Sequence, residues 1–303
     1  MTGSGTPTLS PGDVIGFVGL GRMGAHMAGR LVAAGYRVQA FDVDATARQS
    51  FADASGGTAA ASLREVADGA AAVVLILPTS AIVSSVLRDE GLLSATAPGT
   101  LLLDMGSSQP EVTRELATAA EGSGIRMFDA PVSGGVKGAR AGTLTIMAGG
   151  PPEWVAECAP LLDAMGSKTV HVGPVGAGHA LKALNNLLSA SHLLASSEAL
   201  EIGTRFGLDP QMMLDAINGS SGKSWSTEMK LPTYVLPRQF TSGFSLALLV
   251  KDTRIAVELA RSTGTAAAHA EATLALWEQA MADLADDADH TEIARWVEER
   301  RAP

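Results

Sequence analysis

The stretch Val14-Ile15-Gly16-Phe17-Val18-Gly19-Leu20-Gly21-Arg22-Met23-Gly24 leads into a helical run ending near Tyr36, and Arg37-Val38-Gln39-Ala40-Phe41-Asp42 follows. It reads as strand, glycine-rich turn, helix, second strand and acid, the order of a dinucleotide-binding fold. Gly19 permits a tight turn out of the strand, Gly21 lets backbone approach a pyrophosphate, and Gly24 lets the helix pack on the sheet. The helix N-terminus offers unpaired N–H groups and a partial positive charge to phosphate. The whole turn, Gly19, Leu20, Gly21, Arg22, Met23 and Gly24, is therefore the expected cofactor loop. Asp42 ends the second strand, where a carboxylate accepts hydrogen bonds from both ribose hydroxyls. A 2′-phosphate would meet its negative charge, so NAD is expected over NADP. Arg37 and Arg48 are the cations near enough in sequence to offset part of that preference, and NADP stays open.

Working outward, 303 residues suggest about two domains, and 46% apolar residues are ample for two cores. The net charge of −10 gives no basic field, which argues against a nucleic-acid partner and against an anionic membrane surface. The longest apolar run, Ala70 to Pro78, falls far short of the ~20 residues that span a bilayer. The single cysteine, Cys158, rules out an internal disulfide and suits a reducing cytoplasm. Residues 1–13 open on Gly, Ser, Thr and Pro without the pattern of a signal peptide, and are expected to be a mobile tail outside the fold.

Short apolar runs alternate with helical patterns from Val14 to about Gly173. Expected strands are Val14–Val18, Arg37–Phe41, Val73–Leu77, Leu101–Asp104, Ile125–Asp129, Thr143–Ala148 and Thr169–Val172. Such alternation implies parallel strands with crossover helices. No convincing helix separates the strands between 125 and 148, so the sheet is expected to become mixed there. After Pro174 the pattern turns helical throughout. One long helix is expected from Gly178 to about Arg205, then helices at 210–218, 226–236, about 245–262, about 265–284 and 290–300. The expected architecture is an α/β Rossmann-type N-terminal domain over 14–174 and an all-α C-terminal domain over 175–303, joined by a long interdomain helix.

In a doubly wound sheet, ligands bind beyond the carboxyl ends of the strands. Leu77-Pro78-Thr79, Asp104 to Ser108 and Asp129 to Gly135 are the loops at those ends. In the last of these, Pro131 stiffens the chain, Ser133 offers a hydroxyl, and Gly134-Gly135 exposes backbone N–H groups. Such a loop can bind a carboxylate; an ordinary glycine turn is the plainer alternative. Lys182 and Asn186 are four apart and share a helix face. Leu181 and Leu184 flank the lysine on a face expected to be buried. Desolvation lowers a lysine pKa and lets it exchange a proton near neutrality, whereas a snorkelling surface amine would do nothing of the kind. Lys251 opens a further helix and either meets an anionic ligand or pairs with Asp252 or Glu258. The six histidines show no metal-ligand spacing; His179, three before Lys182, either reaches the site or, as the plainer reading, serves as a helix-cap or structural residue. No Ser-His-Asp arrangement is evident.

Taken together, Gly19 to Gly24, Asp129 to Gly135, Gly176 to Asn186 and Lys251-Asp252 resemble, in order and separation, the β-hydroxyacid dehydrogenase family, which includes 3-hydroxyisobutyrate dehydrogenase and tartronate semialdehyde reductase. The resemblance implies that Lys182 is catalytic and that Ser133, Gly134 and Gly135 hold the substrate carboxylate. Asn186 would hydrogen-bond the substrate, and Lys251 would line the nicotinamide and substrate pocket. Leu77, Pro78 and Ser107 match positions that touch the dinucleotide. The expected activity is hydride transfer between NAD and a small 3-hydroxy acid or semialdehyde acid, with a lysine general acid–base. An NADPH-dependent glyoxylate, succinic semialdehyde or tartronate semialdehyde reductase is the neighbouring reading, and a non-catalytic dinucleotide-binding module the distant one. A homodimer or homotetramer is expected, with the apolar residues Leu187, Leu193 and Leu194 serving either as contact surface or as core. The chain departs from the usual pattern at Arg30, Ile82, Gly106-Ser107, Val136-Lys137 and Arg254. The last is expected either at the surface or in contact with a second anionic group of the substrate.

Overall fold

Val14–Val18 forms strand β1 because its apolar side chains are buried on both faces of a sheet; Ile15 and Phe17 are fully inaccessible. In the computed structural model residues 8–300 are described. The chain divides into two units at Lys182, eight residues beyond the expected boundary.

The first unit continues with α1 (Gly24–Ala33), β2 (Arg37–Phe41), α2 (Ala45–Ser55), β3 (Thr58–Ala59), α3 (Leu63–Ala67) and β4 (Ala72–Leu75). Next come α4 (Ser80–Ser84), running into a π-helical turn at Ser85–Asp89, then α5 (Leu92–Ala95), β5 (Leu101–Asp104), α6 (Pro110–Glu121) and β6 (Arg126–Asp129). It closes with β7 (Val132–Ser133), α7 (Gly135–Ala141), β8 (Leu144–Gly149), α8 (Pro152–Glu157), α9 (Ala159–Met165) and β9 (Gly166–Gly173). Local chemistry sets the helix starts. Asp44, Ser62 and Thr79 each accept a hydrogen bond from the first turn of α2, α3 and α4, satisfying donors that otherwise have no partner.

The strands lie in the order β3-β2-β1-β4-β5-β6-β8-β7, with β9 beside β8. From β3 to β6 every pairing is parallel. Strand β8 then runs antiparallel to β6 and β7 and parallel to β9, so the sheet is mixed where expected. A short helix, α7, does separate β7 from β8; Gly134, Gly135 and Gly138 hide it in the sequence. Leu101 and Leu103 face one core and Leu102 the other, so helices cover both faces. Of the expected tail, residues 1–7 lie outside the described residues. Leu9 is buried in the core and its N–H donates to the Glu157 carbonyl at 3.0 Å, so the fold begins ahead of Val14.

The second unit is helical. Helix α10 spans Ala177–Phe206 and belongs to this unit from Ala183 onward. Then follow α11 (Pro210–Asn218), a π-helical segment (Ser226–Val235), α12 (Leu246–Ser262), α13 (Ala268–Asp283), a 3₁₀ turn (His290–Glu292) and α14 (Ile293–Glu299). Pro232 inside the π-helical segment removes a donor and a regular helical bond. The core gathers Leu193, Leu194, Leu214, Leu231, Trp277 and Trp296. Leu193 and Leu194 are therefore core residues, and Leu187 packs beside Ala183, Ile255 and Ala256.

Candidate active site

The glycine turn sorts its three glycines by what each must avoid. Gly19 has φ +101°, and a Cβ there would overlap the Ile76 carbonyl oxygen. A Cβ on Gly24 would overlap the Gly19 carbonyl oxygen, so α1 can seat on the turn only without a side chain. At Gly21 a Cβ would meet nothing within 4 Å; the residue is exposed, as is Arg22. Leu20 and half-buried Met23 turn inward against the core. No side chain caps the N-terminus of α1, which leaves its positive end open to an anion.

Asp42 is fixed beside the turn. Its two carboxylate oxygens accept the Leu20 N–H at 2.7 Å and the Asp44 N–H at 2.9 Å. Neither nearby cation bonds that carboxylate. Arg37 Nε donates to the Gly12 carbonyl at 2.8 Å. Arg48 donates to the Asp42 main-chain oxygen and lies over the Phe41 ring, 5.3 Å from its centre. An open cradle at Gly21, an uncapped helix and a preorganised acid fit the pyrophosphate and ribose of a dinucleotide. Beyond β4 and β5, the loops carrying Leu77, Pro78 and Ser107 lie side by side: a Cβ on Gly106 would come within 2.7 Å of the Leu77 carbonyl oxygen, which accounts for glycine there. Ile82, on α4, is 41% exposed.

In the loop after β6, Ser133 pairs with Thr145 across to β8, while Gly134 (φ 135°) and Gly135 (φ 63°) adopt backbone conformations that suit glycine and lie exposed. Lys137 is exposed on α7.

On α10, Lys182 is half-buried and Asn186 buried. The flanking leucines are not buried as expected: Leu181 and Leu184 are 39% and 42% exposed. A 3.6-residue period puts them, with Leu188, opposite the face shared by Lys182, Asn186 and Leu193. The Asn186 amide nitrogen donates to Asp252 Oδ2 at 2.5 Å, and Asp252 Oδ1 lies 3.0 Å from Lys251 Nζ. The second unit thus brings Asn186 and Lys251 to opposite oxygens of one buried carboxylate. From the sequence, Asp252 is expected only as an ion-pair partner of Lys251; its bond to Asn186 adds a second role. Arg254 pairs with Glu278 at 2.6 Å on the surface, which settles its place.

A second cluster escaped sequence reasoning. Asp129, the last residue of β6, is fully buried and accepts the Gly176 N–H at 2.6 Å and the His179 N–H at 2.7 Å. The His179 ring is buried, with Nδ1 2.8 Å from Thr113 Oγ1. It lies between Asp129 Oδ2 at 3.9 Å and Asp104 Oδ2 at 3.8 Å, and its Nε2 has no hydrogen-bond partner. Asp104 is held by the Gly106 N–H and the Ser108 hydroxyl. Burial pushes the Asp129 carboxyl above its ordinary pKa, against the pull of His179 and the two N–H bonds.

The structure also gathers a serine, a histidine and an aspartate that the sequence does not suggest, Ser242, His290 and Asp289. The Ser242 hydroxyl lies within 2.8 Å of both Asp289 oxygens, and His290 Nδ1 lies 3.0 Å from both the Ser242 hydroxyl and the Phe244 carbonyl. The group ties the loop at Ser242–Phe244 to the start of the 3₁₀ turn. Among the described residues no three His, Cys, Asp or Glu side chains form a metal-binding group, and no helix is long and apolar enough to cross a membrane.

Two family models match this chain in sequence. Residues 14–173 match the NAD-binding domain of 6-phosphogluconate dehydrogenase, and residues 176–297 match the NAD-binding domain of NADP-dependent 3-hydroxyisobutyrate dehydrogenase. An NAD-dependent L-serine dehydrogenase of Pseudomonas aeruginosa is 38% identical over 87% of this chain and 90% of its own. The chain belongs to the β-hydroxyacid dehydrogenase family. A 2-(hydroxymethyl)glutarate dehydrogenase of Eubacterium barkeri is 40% identical over 80% of this chain and 81% of its own. Among solved structures, a Mycobacterium tuberculosis 3-hydroxyisobutyrate dehydrogenase with L-serine superposes with TM-score 0.88 and 35% identity, covering 94% of this chain and 99% of that one. The protein is an NAD(P)-dependent hydroxyacid dehydrogenase whose Rossmann-type domain binds NAD, with NADP possible.

Proposed function

We propose that the protein oxidises a small 3-hydroxy acid to its semialdehyde, or runs the reverse reduction, with Lys182 as the general acid–base. Held at the glycine turn and Asp42, NAD would supply the acceptor for the hydride of the hydroxyl-bearing carbon. The chain's own groups do the rest. Ser133 and the N–H groups of Gly134 and Gly135 hold the substrate carboxylate. Asn186 hydrogen-bonds the substrate, its amide oriented by Asp252. Lys251, on the other oxygen of Asp252, presents a positive charge to anionic ligand groups. Lys182 takes the hydroxyl proton as the C–O bond becomes a carbonyl, and returns it in reduction. Gly19 to Gly24, Asp42, Leu77, Pro78 and Ser107 would hold the dinucleotide.

The observation that carries this reading is the polar face of α10, where Lys182 precedes by one turn an Asn186 locked at 2.5 Å to Asp252. Lys182→Ala is expected to retain NADH binding, followed by nucleotide fluorescence, while turnover falls by about a hundred-fold or more, the scale of removing a general acid–base group. Unchanged turnover would remove Lys182 from the mechanism. Asp42 supports NAD as the working cofactor, which relative rates with NADH and NADPH test.

A branched monocarboxylate such as 3-hydroxyisobutyrate is the first candidate substrate. A hydroxy acid with a second carboxylate is favoured by one feature: Lys230 Nζ donates to Ser189 Oγ at 2.7 Å, three residues past Asn186 on the same polar face. Turnover of 3-hydroxyisobutyrate, L-serine and 2-(hydroxymethyl)glutarate with NAD separates the two readings. The exposed apolar row Leu181, Leu184, Leu188, Ile202 and Phe206 on α10 supports a homodimer or homotetramer, which light scattering tests. The lone buried thiol of Cys158 supports residence in the cytoplasm.

A further inference from the structure

Helix α10 has no cap of its own. The residues that lead into it, Gly173-Pro174-Val175-Gly176-Ala177-Gly178, include none of the Ser, Thr, Asp or Asn side chains that satisfy first-turn N–H groups. The cap comes from the sheet. Asp129, at the end of β6, takes the N–H of Gly176 on one oxygen and the N–H of His179 on the other. The chain around it has no slack. A Cβ on Gly149 would sit 2.5 Å from the Gly178 nitrogen, and a Cβ on Gly178 would overlap the Met147 carbonyl oxygen. Asp129 also opens the segment that reaches Ser133 four residues later. The substrate loop and the helix carrying Lys182 therefore hang from one carboxylate.

His179 fixes the remaining freedom of that first turn. Thr113 Oγ1 lies 2.8 Å from Nδ1 and also bonds the Gln109 carbonyl, so the ring is tied to α6. Its flanks are the buried carboxylates Asp104 and Asp129, at 3.8 and 3.9 Å. Rotation of α10 about its axis would pull the imidazole from both acids at once. Lys182 lies three residues on, one turn along the same rigid helix. As an energetic device the arrangement is poor, because two buried acids share one imidazole with an unpartnered Nε2 and buried charge is costly. Its benefit is geometric: misplacing a reacting group by about 1 Å can cost on the order of a hundred-fold in rate.

We propose that Asp129 and His179 are positioning residues for the reaction, setting the rotation and height of the first turn of α10 so that Lys182 meets a substrate held by the Ser133 loop. This rests on the reading of Lys182 as the acid–base and of the Ser133 loop as the carboxylate site.

The test uses the full-length protein with NAD and 3-hydroxyisobutyrate, and the variants Asp129→Asn, His179→Ala and His179→Gln, each alone and combined with Lys182→Ala. Asp129→Asn and His179→Ala are expected to lower kcat by about 10- to 100-fold, with KM and the NADH Kd little changed. His179→Gln, which still reaches Thr113, should recover most of the loss. In the Lys182→Ala background each should add less than about two-fold, because residues acting as a unit are not additive. Equal losses in both backgrounds, or losses matched by weakened NADH binding, would show a merely structural role and overturn the proposal, as would wild-type kcat in Asp129→Asn. Should Asp129→Asn fail to fold, the two His179 variants decide alone. Full turnover by Lys182→Ala itself would instead strike the acid–base reading, and the positioning role with it.

Discussion

Asp129 and Asp289 each stand beside a buried histidine, one in each unit, and their carboxyls move in opposite directions. Asp129 is fully buried and receives two backbone N–H bonds, with the His179 ring at 3.9 Å. Burial wins, and its pKa rises. Asp289 is also pushed up by burial, but His290, both the hydroxyl and the N–H of Thr291, and the Ser242 hydroxyl outweigh that push and hold it well below the usual carboxylate range. It receives the Gly243 N–H as well, at 2.8 Å. The balance between removing water and replacing its hydrogen bonds decides the sign. Where enough donors replace water the acid stabilises its surroundings; where too few do, the charge is held at a cost, and geometry is the better account of what it contributes.

The largest effect should come from breaking the well-supplied site. Asp289→Ala is expected to destabilise the protein by about 2–4 kcal/mol at neutral pH, the scale of removing one partner from a buried hydrogen-bonded charge. The sign follows from the depressed folded pKa: the stabilisation is present above the unfolded value near 4 and is lost as pH falls through the folded pKa. Urea midpoints of the variant and wild type should converge in acid. A constant gap down to pH 3 would contradict the donor count.

Asp129→Asn should show a smaller dependence of opposite slope. With the folded pKa raised, the wild type is favoured below the unfolded pKa and loses that contribution as pH rises toward the folded value. Asparagine does not titrate, so the stability of the variant relative to wild type should improve between acid and neutral pH, on top of a constant cost for the mismatched cap. A relative stability that worsens with pH would mean that the carboxylate is as well satisfied as Asp289.

Smallest of all should be Arg254→Ala, which breaks a pair whose two side chains are 45% and 41% exposed. Water already solvates both, so about 0.5 kcal/mol or less is expected. A urea midpoint within error of wild type would supply the baseline for the two buried acids.

Legibility followed distance along the chain. β1, β2, β5 and α11 were readable to the residue because their signals, unbroken apolar runs or a Pro-led helical period, lie within a few neighbouring positions. The two-residue strands β3 and β7 are too short for any pattern, and α7 is disguised by its glycines. Helix 226–236 was placed well, but periodicity does not express its π-helical form, which runs through Pro232. At the candidate site, Lys182 and Asn186 were visible as an i, i+4 pair. The buried cluster was not: Asp129 meets Gly176 and His179 across 47 and 50 residues, and Thr113 meets His179 across 66. One clue was available, the lack of any capping side chain before α10, whose first N–H groups therefore required an acceptor from elsewhere. The burial of Leu181 and Leu184 was misjudged because leucine spacing identifies a helix face without saying what lies against it.

Gly21 deserves a different reading from its neighbours at 19 and 24. Those two answer to the folded chain, which has no volume for a methyl group at either place. At 21 the protein alone imposes no such demand, and on the proposed dinucleotide reading it is a visiting phosphate that would feel the added carbon. A descendant that had abandoned its nucleotide would keep the outer pair to stay folded and let the middle one wander. Position 21 is thus a register of use, legible in evolutionary drift even after every thermodynamic measurement on the apoprotein has fallen silent.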